Sequence, residues 1–429
     1  MYWEDPSIRF ARPVRWLLAL LDDAIVPFEI AGLRSDRITR GHRFMGASRI
    51  EISRASEYLD KLYDNYVIVD QEKRKQRMLS GIANLERELG GTVELEPDLV
   101  LENLSLVEYP IPFYGTFDES FLKIPHEVLT TTMKKHQKYF PVRDSNGRLK
   151  PFFVGVSNNR ASSMDVVREG NERVLRARLS DAAFFWNEDL KRSLAGRVEE
   201  LKHIIHHEKL GSVYDKVKKT QDLARWITSD LQRPELLSLV DRAAFLSKAD
   251  LVTEMVYEFP ELQGVMGREY ALRDKEPEPV AQAIHEQYLP KFAGDTIPKG
   301  LPGAILGIAE RIQIIVSCHG IGLVPTGSQD PYALRRAARC INEILFGQNI
   351  DLDLRSCVTE ATRINGSDDA VRDAVLLFLQ QRLLMQLKER GASHEISSLA
   401  VSVIGNRPLQ ALRFLNALSE VQGQPWFSS

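Results

Sequence analysis

Cysteine is scarce: Cys318, Cys340 and Cys357 are the three in 429 residues, and no Cys-x-x-Cys pair occurs. An odd, widely spaced set argues against a disulfide framework or a cysteine zinc cluster and fits a reducing cytoplasm. Long hydrophobic runs are also lacking. The longest near the start, residues 16–21, is too short to span a bilayer, and Met1-Tyr2-Trp3-Glu4-Asp5 lacks the basic lead of a signal peptide, so no membrane role is expected. Charge of one sign is missing, since 56 Lys and Arg nearly balance 59 Asp and Glu for a net charge of −3. Any binding to nucleic acid must then come from local basic patches. There is no Gly-x-x-x-x-Gly-Lys-Ser/Thr loop, the glycines of 303–311 sit in a plain helix-core pattern, and Gly320-Ile321-Gly322 is a fragment of a dinucleotide fingerprint with no strand before it and Pro325 after it, so no ATP site is expected in this chain. No repeat of fixed period is visible.

What remains is an ordinary folding sequence. With 44% hydrophobic residues, 27% charged residues and 20 prolines spread along its length, it is too long for one core and calls for two or three domains. Residues 9–53 mix short β-branched and aromatic runs with breakers at Asp22-Asp23, Pro27 and Gly32, which predicts strands with few helices. Residues 35–46 are unusually basic for a loop or strand edge, and by themselves read as a solvated edge. Helices are predicted over 55–64 and 71–89, the second stopped by Gly90-Gly91. Residues 92–125, punctuated by Pro97, Pro110, Pro112 and Gly115, read as strands and loops. Residues 127–138 read as a helix, and Asn146-Gly147 marks a hairpin between 139–142 and 151–157. Beyond a boundary near Leu190 hardly any strand pattern occurs. Helices are predicted over 190–209, 213–231, 234–258, 263–272, 277–287, 302–319, 331–346, 354–364, 370–390 and 395–403, which makes the fold class α+β.

Three stretches gather cations. Residues 170–189 form about five turns of helix with Asn171 as the cap, and Val174, Leu175, Leu179, Ala182, Ala183, Phe185 and Trp186 make one broad apolar face. Arg173, Arg176, Ser180 and Asn187 fall within about 60° of arc on the other side, a strip that suits phosphate oxygens and equally describes a solvated helix face. Arg178 projects onto the apolar side, with Asp181 its nearest partner in sequence. Lys134, Lys135 and Lys138 close the 127–138 helix, where they favour the helix dipole; interleaved with His136, Tyr139 and Phe140, they also suit an RNA backbone and a stacked base. In 330–339, Asp330 caps, Pro331 takes the first helical position, and Arg335, Arg336 and Arg339 gather opposite Leu334, Ala337 and Ala338. With the Asp330 carboxylate on the first amides, an anion is expected at the arginine face. His203, His206, His207 and Glu208 are the densest set of potential metal ligands, with His203 and His207 at i, i+4. They lack the glutamate of a His-Glu-x-x-His site and an obvious third ligand, so no metal is assigned.

Residues 37–46, 133–142, 170–188, 263–267 and 330–338 together strongly resemble the β subunit of bacterial heterotetrameric glycyl-tRNA synthetase, over nearly the whole chain. The resemblance implies a partner, a small class II catalytic α subunit, in an assembly of two α and two β chains. It implies that β supplies most contacts to the tRNA for glycine, and that the complex uses ATP and Mg through α, leaving no catalytic residue or cofactor here. It implies a domain similar to the editing-like B3/B4 region of phenylalanyl-tRNA synthetase β chains over 1–189, an all-α HD-type domain over 190–350 and a helical body segment over 351–429. Chains of this family look longer at both ends, with a C-terminal anticodon-binding domain, which would place Tyr2-Trp3 and Pro425-Trp426-Phe427 inside a longer protein. An HD phosphohydrolase needs a His-Asp dipeptide among its metal ligands, because the metal must activate water. None of the nine histidines precedes an Asp, and the expected position reads Lys248-Ala249-Asp250. Lys248 and Asp250 are therefore degenerate positions of a scaffold without its metal. The expected function is a non-catalytic, tRNA-binding β subunit of glycine–tRNA ligase, with Lys134, Lys135, Lys138, Arg173, Arg176, Arg335, Arg336 and Arg339 as RNA-backbone contacts. The rivals are a metal-dependent HD phosphohydrolase and a purely structural assembly subunit.

Overall fold

A computed structural model describes residues 14–160, 164–327 and 329–422. The expected boundaries at Tyr2-Trp3 and Pro425-Trp426-Phe427 lie outside the described residues. The fold is α+β, and the chain passes from one compact unit to a second between Phe184 and Phe185, a little before Leu190.

The first unit is built on a four-stranded antiparallel sheet in the order Thr92–Val93, Phe140–Arg143, Leu149–Ser157, Ile111–Thr116. Its hairpin forms where Asn146-Gly147 predicts one. The Asp144 carboxylate accepts from the amides of Asn146 and Arg148, and Gly147 takes a φ of +77°, which glycine adopts without a Cβ penalty. Helix Gln71–Leu89 packs Met78 and Ile82 into one core with Val93, Phe140, Val142 and Val154. Its ends follow from its sequence: the Asp70 carboxylate accepts from the amides of Glu72 and Lys73, and Gly90 closes the helix in the left-handed region. Residues 92–125 differ from the expected strands and loops, because Pro97–Leu106 is a helix that sends Leu99, Val100 and Leu104 into the same core. There proline starts a helix instead of breaking a strand. Nor is 127–138 one α-helix: His126–Thr131 continues as the π-helix Thr132–Gln137, closed by Lys138 at φ +59°. Residues 14–54 form strands of two to four residues, and the nearby core is Ile50, Ile52 and Leu62.

Among its described residues the second unit is helical apart from a small hairpin, Ile205–His207 with Gly211–Ser212, and an isolated bridge between Thr326 and Gln329. The hairpin and the 3-10 helix Ala195–His203 replace the single helix expected over 190–209. The expected 234–258 helix is broken into Leu237–Leu246, the 3-10 turn Ala249–Val252 and Glu254–Glu258. Thr253 explains the break, since its hydroxyl donates to the Asp250 carbonyl and accepts from the Val256 amide, which caps the next helix. Leu301–Gly320 is the central helix, packed against Val213–Asp230, Glu278–Glu286, Leu334–Gly347, Leu354–Asn365 and Asp369–Glu389. By length and composition it is apolar enough to cross a membrane, but it is mostly buried inside this unit, as a core helix must be. Helix Pro408–Gln422, for which no helix was expected, adds Ala411 and Leu415 to a core with Leu383, Leu387 and Ala400.

Candidate nucleic-acid interface

The long helix runs Met164–Asp189, so Asn171 lies inside it and does not cap it. Three side chains fix one face on the sheet. Arg168 donates to the Tyr114 carbonyl at 3.1 Å with its guanidinium 4.7 Å from the Tyr114 ring centre. Asn171 donates to the Val167 carbonyl and accepts from the Tyr139 hydroxyl. Glu172 accepts from the Thr116 amide and hydroxyl at 2.7 and 2.9 Å. Tyr139 stacks on Phe153 at 4.4 Å, and burial pushes its phenol up to about 12, so the hydroxyl keeps its proton and donates. Leu175, Leu179 and Ala182 continue this face and are fully buried.

With that face committed, Arg173, Arg176, Ser180 and Asn187 are all exposed. Among the described residues no acid lies within ion-pair distance of either arginine. Arg176 acts on Asp118 at longer range: hydrogen bonds from Ser120 hold that carboxyl below its ordinary value, and the arginine charge lowers it further. The apolar face is narrower than projected, since Val174 is 46% exposed. Arg178, expected on the apolar side, is in solvent and makes no ion pair with Asp181.

The other cations divide sharply. Lys134 is held between Glu94 and Glu96, 2.6 Å from the latter, and Arg143 lies 2.7 Å from Glu94. Burial opposes ionisation of Glu94, but the two cations outweigh it and keep its carboxyl low. Lys138 pairs with Glu102 at 2.7 Å, while Lys135 is exposed with no ion pair among the described residues. In the second unit Arg339 is bound by Glu343 at 2.9 Å and Glu389 at 2.7 Å. Arg335 and Arg336 make no ion pair among the described residues, and Arg336 is exposed. The Asp330 carboxylate does accept from the first amides, those of Leu334 and Arg335 at 2.8 and 3.0 Å. The helix begins at Leu334, however, because Ala333 turns left-handed at φ +53° and Pro331 stays outside. Arg336 borders a cleft of about 440 Å³ that also holds Lys291, an exposed cation the sequence reading missed. Arg311, in the same cleft, is committed to the carbonyls of Gln287, Tyr288, Leu289 and Pro290.

Lys248 and Asp250 lie in the core of the second unit. Asp250 Oδ2 accepts from the amides of Gly264 and Gly267 at 2.5 and 3.1 Å, which gives the 263–267 motif a physical role. Burial pushes the Asp250 carboxyl up to about 6; its Oδ1 and the Tyr288 hydroxyl are buried without a hydrogen-bond partner among the described residues. The Lys248 ammonium lies 2.8 Å from Glu310 and 3.8 Å from the Tyr288 ring centre, and Lys216 meets Glu310 at 2.9 Å. Burial works against Glu310, yet the two lysines hold its carboxyl far below its ordinary value. Beside them burial, and then the Lys216 charge, push His206 down to about 4, leaving a neutral imidazole at pH 7. His203 closes a 3-10 helix and His207 belongs to a strand, so the helical i, i+4 pair does not form. Sequence reading also missed Asp189, whose carboxylate accepts from the Glu254 and Met255 amides at 3.0 Å and the Tyr270 hydroxyl at 2.7 Å, with Arg197 at 3.4 Å.

Comparison with known proteins gives the class first: the relatives are subunits of aminoacyl-tRNA synthetases. A family model described as glycyl-tRNA synthetase beta subunit matches residues 1–402, and the chain belongs to that family. The glycine–tRNA ligase beta subunit of Halothermothrix orenii is 46% identical over 426 residues, covering 98% of this chain and 62% of that protein. That of Desulforamulus reducens is 45% identical over 403 residues, covering 92% of this chain and 58% of that protein. That of Syntrophotalea carbinolica is 42% identical over 434 residues, covering 100% and 63%. The chain thus spans about 60% of the length of these curated relatives.

Proposed function

We propose that this chain is the tRNA-binding, non-catalytic part of a glycine–tRNA ligase β subunit, acting in the cytoplasm in an assembly of two α and two β chains. The reading rests on Arg173 and Arg176, two exposed guanidiniums on a helix that Arg168, Asn171 and Glu172 fix in place. A planar guanidinium matches a phosphate with two parallel hydrogen bonds, and no acid among the described residues competes by ion pairing. Lys135 adds to this set in the first unit, and Arg335 and Arg336 form another in the second. Lys134, Lys138 and Arg339 reach an RNA only by exchanging their acids for phosphates, so they come second as contacts. ATP and Mg belong to the α subunit's part of the reaction.

The first unit is read as the editing-like domain and the second as an HD-type scaffold. The residues at the degenerate HD positions do not fit a divalent metal. One Asp250 oxygen is occupied by two backbone amides, and a buried ammonium, Lys248, lies where a second cation would be repelled. No hydrolytic step is therefore assigned to this chain.

The test is Arg173→Ala with Arg176→Ala, with tRNA affinity measured across a salt series. Binding to any tRNA should weaken similarly, and the salt slope should fall by up to about 2. Unchanged affinity and slope would return the strip to a solvated face and favour a purely structural subunit. A loss confined to the tRNA for glycine would mean that these residues read bases.

A further inference from the structure

The basic segment 35–46 has a second property that its composition does not convey. Residues 40–49 join the antiparallel strands Ile38–Thr39 and Ile50–Glu51, and the loop backbone is clamped to one residue, Asn65. The His42 amide donates to the Asn65 carbonyl at 2.9 Å, and the Ala47 amide to Asn65 Oδ1 at 3.0 Å. The Asn65 side-chain amide is itself anchored on the Lys61 carbonyl at 2.8 Å. Within the loop, Gly41 donates to Ala47 at 2.9 Å and Gly46 to His42 at 2.8 Å. Both glycines are required by this closeness: a Cβ on Gly41 would lie 2.7 Å from Asn65 Cβ, and one on Gly46 would lie 2.4 Å from the Asn65 carbonyl oxygen. His42 is buried, and its Nδ1 accepts the Phe44 amide at 3.3 Å. Its other ring nitrogen faces Glu108 at 3.9 Å.

This fixed backbone presents an aromatic ring to water. Phe44 is 69% exposed, and Arg43 stacks on it with its guanidinium 5.4 Å from the ring centre. A second pair stands at the loop base, Arg40 over Trp16 at 5.1 Å, with the half-exposed indole tied to the Thr39 hydroxyl at 3.2 Å. Arg40, Arg43 and Arg49 are exposed, and among the described residues none has an ion pair. Met45 accepts the Arg160 amide on its sulfur at 3.3 Å, bringing the backbone of one more exposed arginine beside the loop. A rigid loop holding an open aromatic ring among cations without acids complements a polyanion that carries flat bases, which is the chemistry of single-stranded RNA.

We infer that residues 40–49 form a base-stacking RNA contact. Phe44 receives an unstacked base from a single-stranded segment, and Arg40, Arg43 and Arg49 meet the flanking phosphates. The inference rests on the RNA-binding reading above and assigns that reading a site outside the residues named for it.

The test uses the purified chain with a single-stranded oligoadenylate and with total tRNA. Phe44→Leu should weaken oligoadenylate binding roughly tenfold with an unchanged salt slope, because stacking releases no counterions. Arg40→Ala with Arg43→Ala should instead lower the slope by up to about 2. Phe44→Trp should retain affinity and show indole fluorescence quenched by RNA, beyond any change in the five native tryptophans. Wild-type RNA affinity in Phe44→Leu, or no added quenching in Phe44→Trp, overturns the inference. So does a Phe44→Leu chain that binds RNA normally but no longer co-purifies with an α subunit, since the loop would then be a protein contact. If Arg173→Ala with Arg176→Ala loses RNA while Phe44→Leu does not, the loop assignment fails and the RNA-binding reading stands. If the wild-type chain binds neither RNA, both fail.

Discussion

Replacing Glu310 with Gln keeps the side-chain shape and removes the negative charge shared by Lys216 and Lys248. At 2.9 and 2.8 Å, each contact is worth about 6 kcal/mol of attraction at an effective dielectric constant of about 20. Repulsion between the two ammonium groups, and several kcal/mol of desolvation for each ion, offset most of that sum. The substitution strands both lysines, whose side chains are only 20% and 7% exposed, and removing one partner from such a buried pair costs about 3–5 kcal/mol. Lys248 limits the loss, because burial already pulls its ammonium down to about 8 and, without Glu310, it can give up its proton. The penalty should therefore be largest at acidic pH, where Lys248 stays charged in the variant, shrink as pH rises towards about 8, and stay level above it. Urea unfolding followed by circular dichroism at pH 7 and pH 9 measures both numbers. The triple change Lys216→Met, Lys248→Met, Glu310→Leu should recover most of the loss, since it buries no charge. A Glu310→Gln chain within about 0.5 kcal/mol of wild type at pH 7 would refute the reasoning.

Asp250 gives a pH dependence of defined sign. Its carboxyl titrates at 3.8 unfolded and about 6 folded, so between these values the folded state holds more protons and stability falls as pH rises through the window, by about 3 kcal/mol. Asp250→Asn should flatten that fall, and a urea-midpoint series from pH 4 to 7 that keeps its slope in the variant would count against the assignment. Asp189→Ala orphans the Glu254 and Met255 amides, the Tyr270 hydroxyl and Arg197, and should cost about 3–5 kcal/mol in the same assay, where a loss under 1 kcal/mol would contradict it. Glycine-dependent pyrophosphate exchange should be absent from the purified chain and appear only on addition of an α subunit; exchange without α, above contamination, would overturn the non-catalytic reading.

Helices with strong apolar periodicity and a capping side chain were legible in the sequence to within a residue or two, as at Val213–Asp230 after Ser212 and Leu354–Asn365 after Asp353. Elements decided by local competition were not. The break before Glu254 is set by one Thr253 hydroxyl, and Pro97 could start a helix or interrupt a strand with the same residues around it. The cationic stretches were plain from composition, but their availability was not, because apart from Glu343, four residues after Arg339, the deciding acids are distant in sequence. Glu94 and Glu96 stand 40 and 38 positions from Lys134, and Glu389 stands 50 from Arg339. Arg173 and Arg176 could be placed on an outward face because the buried stripe opposite them is itself periodic.

The central helix Leu301–Gly320 is apolar nearly all the way round, and burial alone is almost indifferent to sliding such a cylinder by one turn in its sleeve. Glu310 and Arg311 remove that freedom. A slide of one turn, about 5.4 Å, would carry the carboxylate off both lysines and the guanidinium off four carbonyls of residues 287–290. Ionic groups here act as a ratchet pawl in an otherwise smooth bearing, setting one register at some expense in stability, as single buried polar residues do in coiled coils. The apolar triple variant should accordingly be at least as stable as Glu310→Gln, and with Arg311→Leu added to it the amide resonances around this helix should broaden, the mark of several registers in exchange.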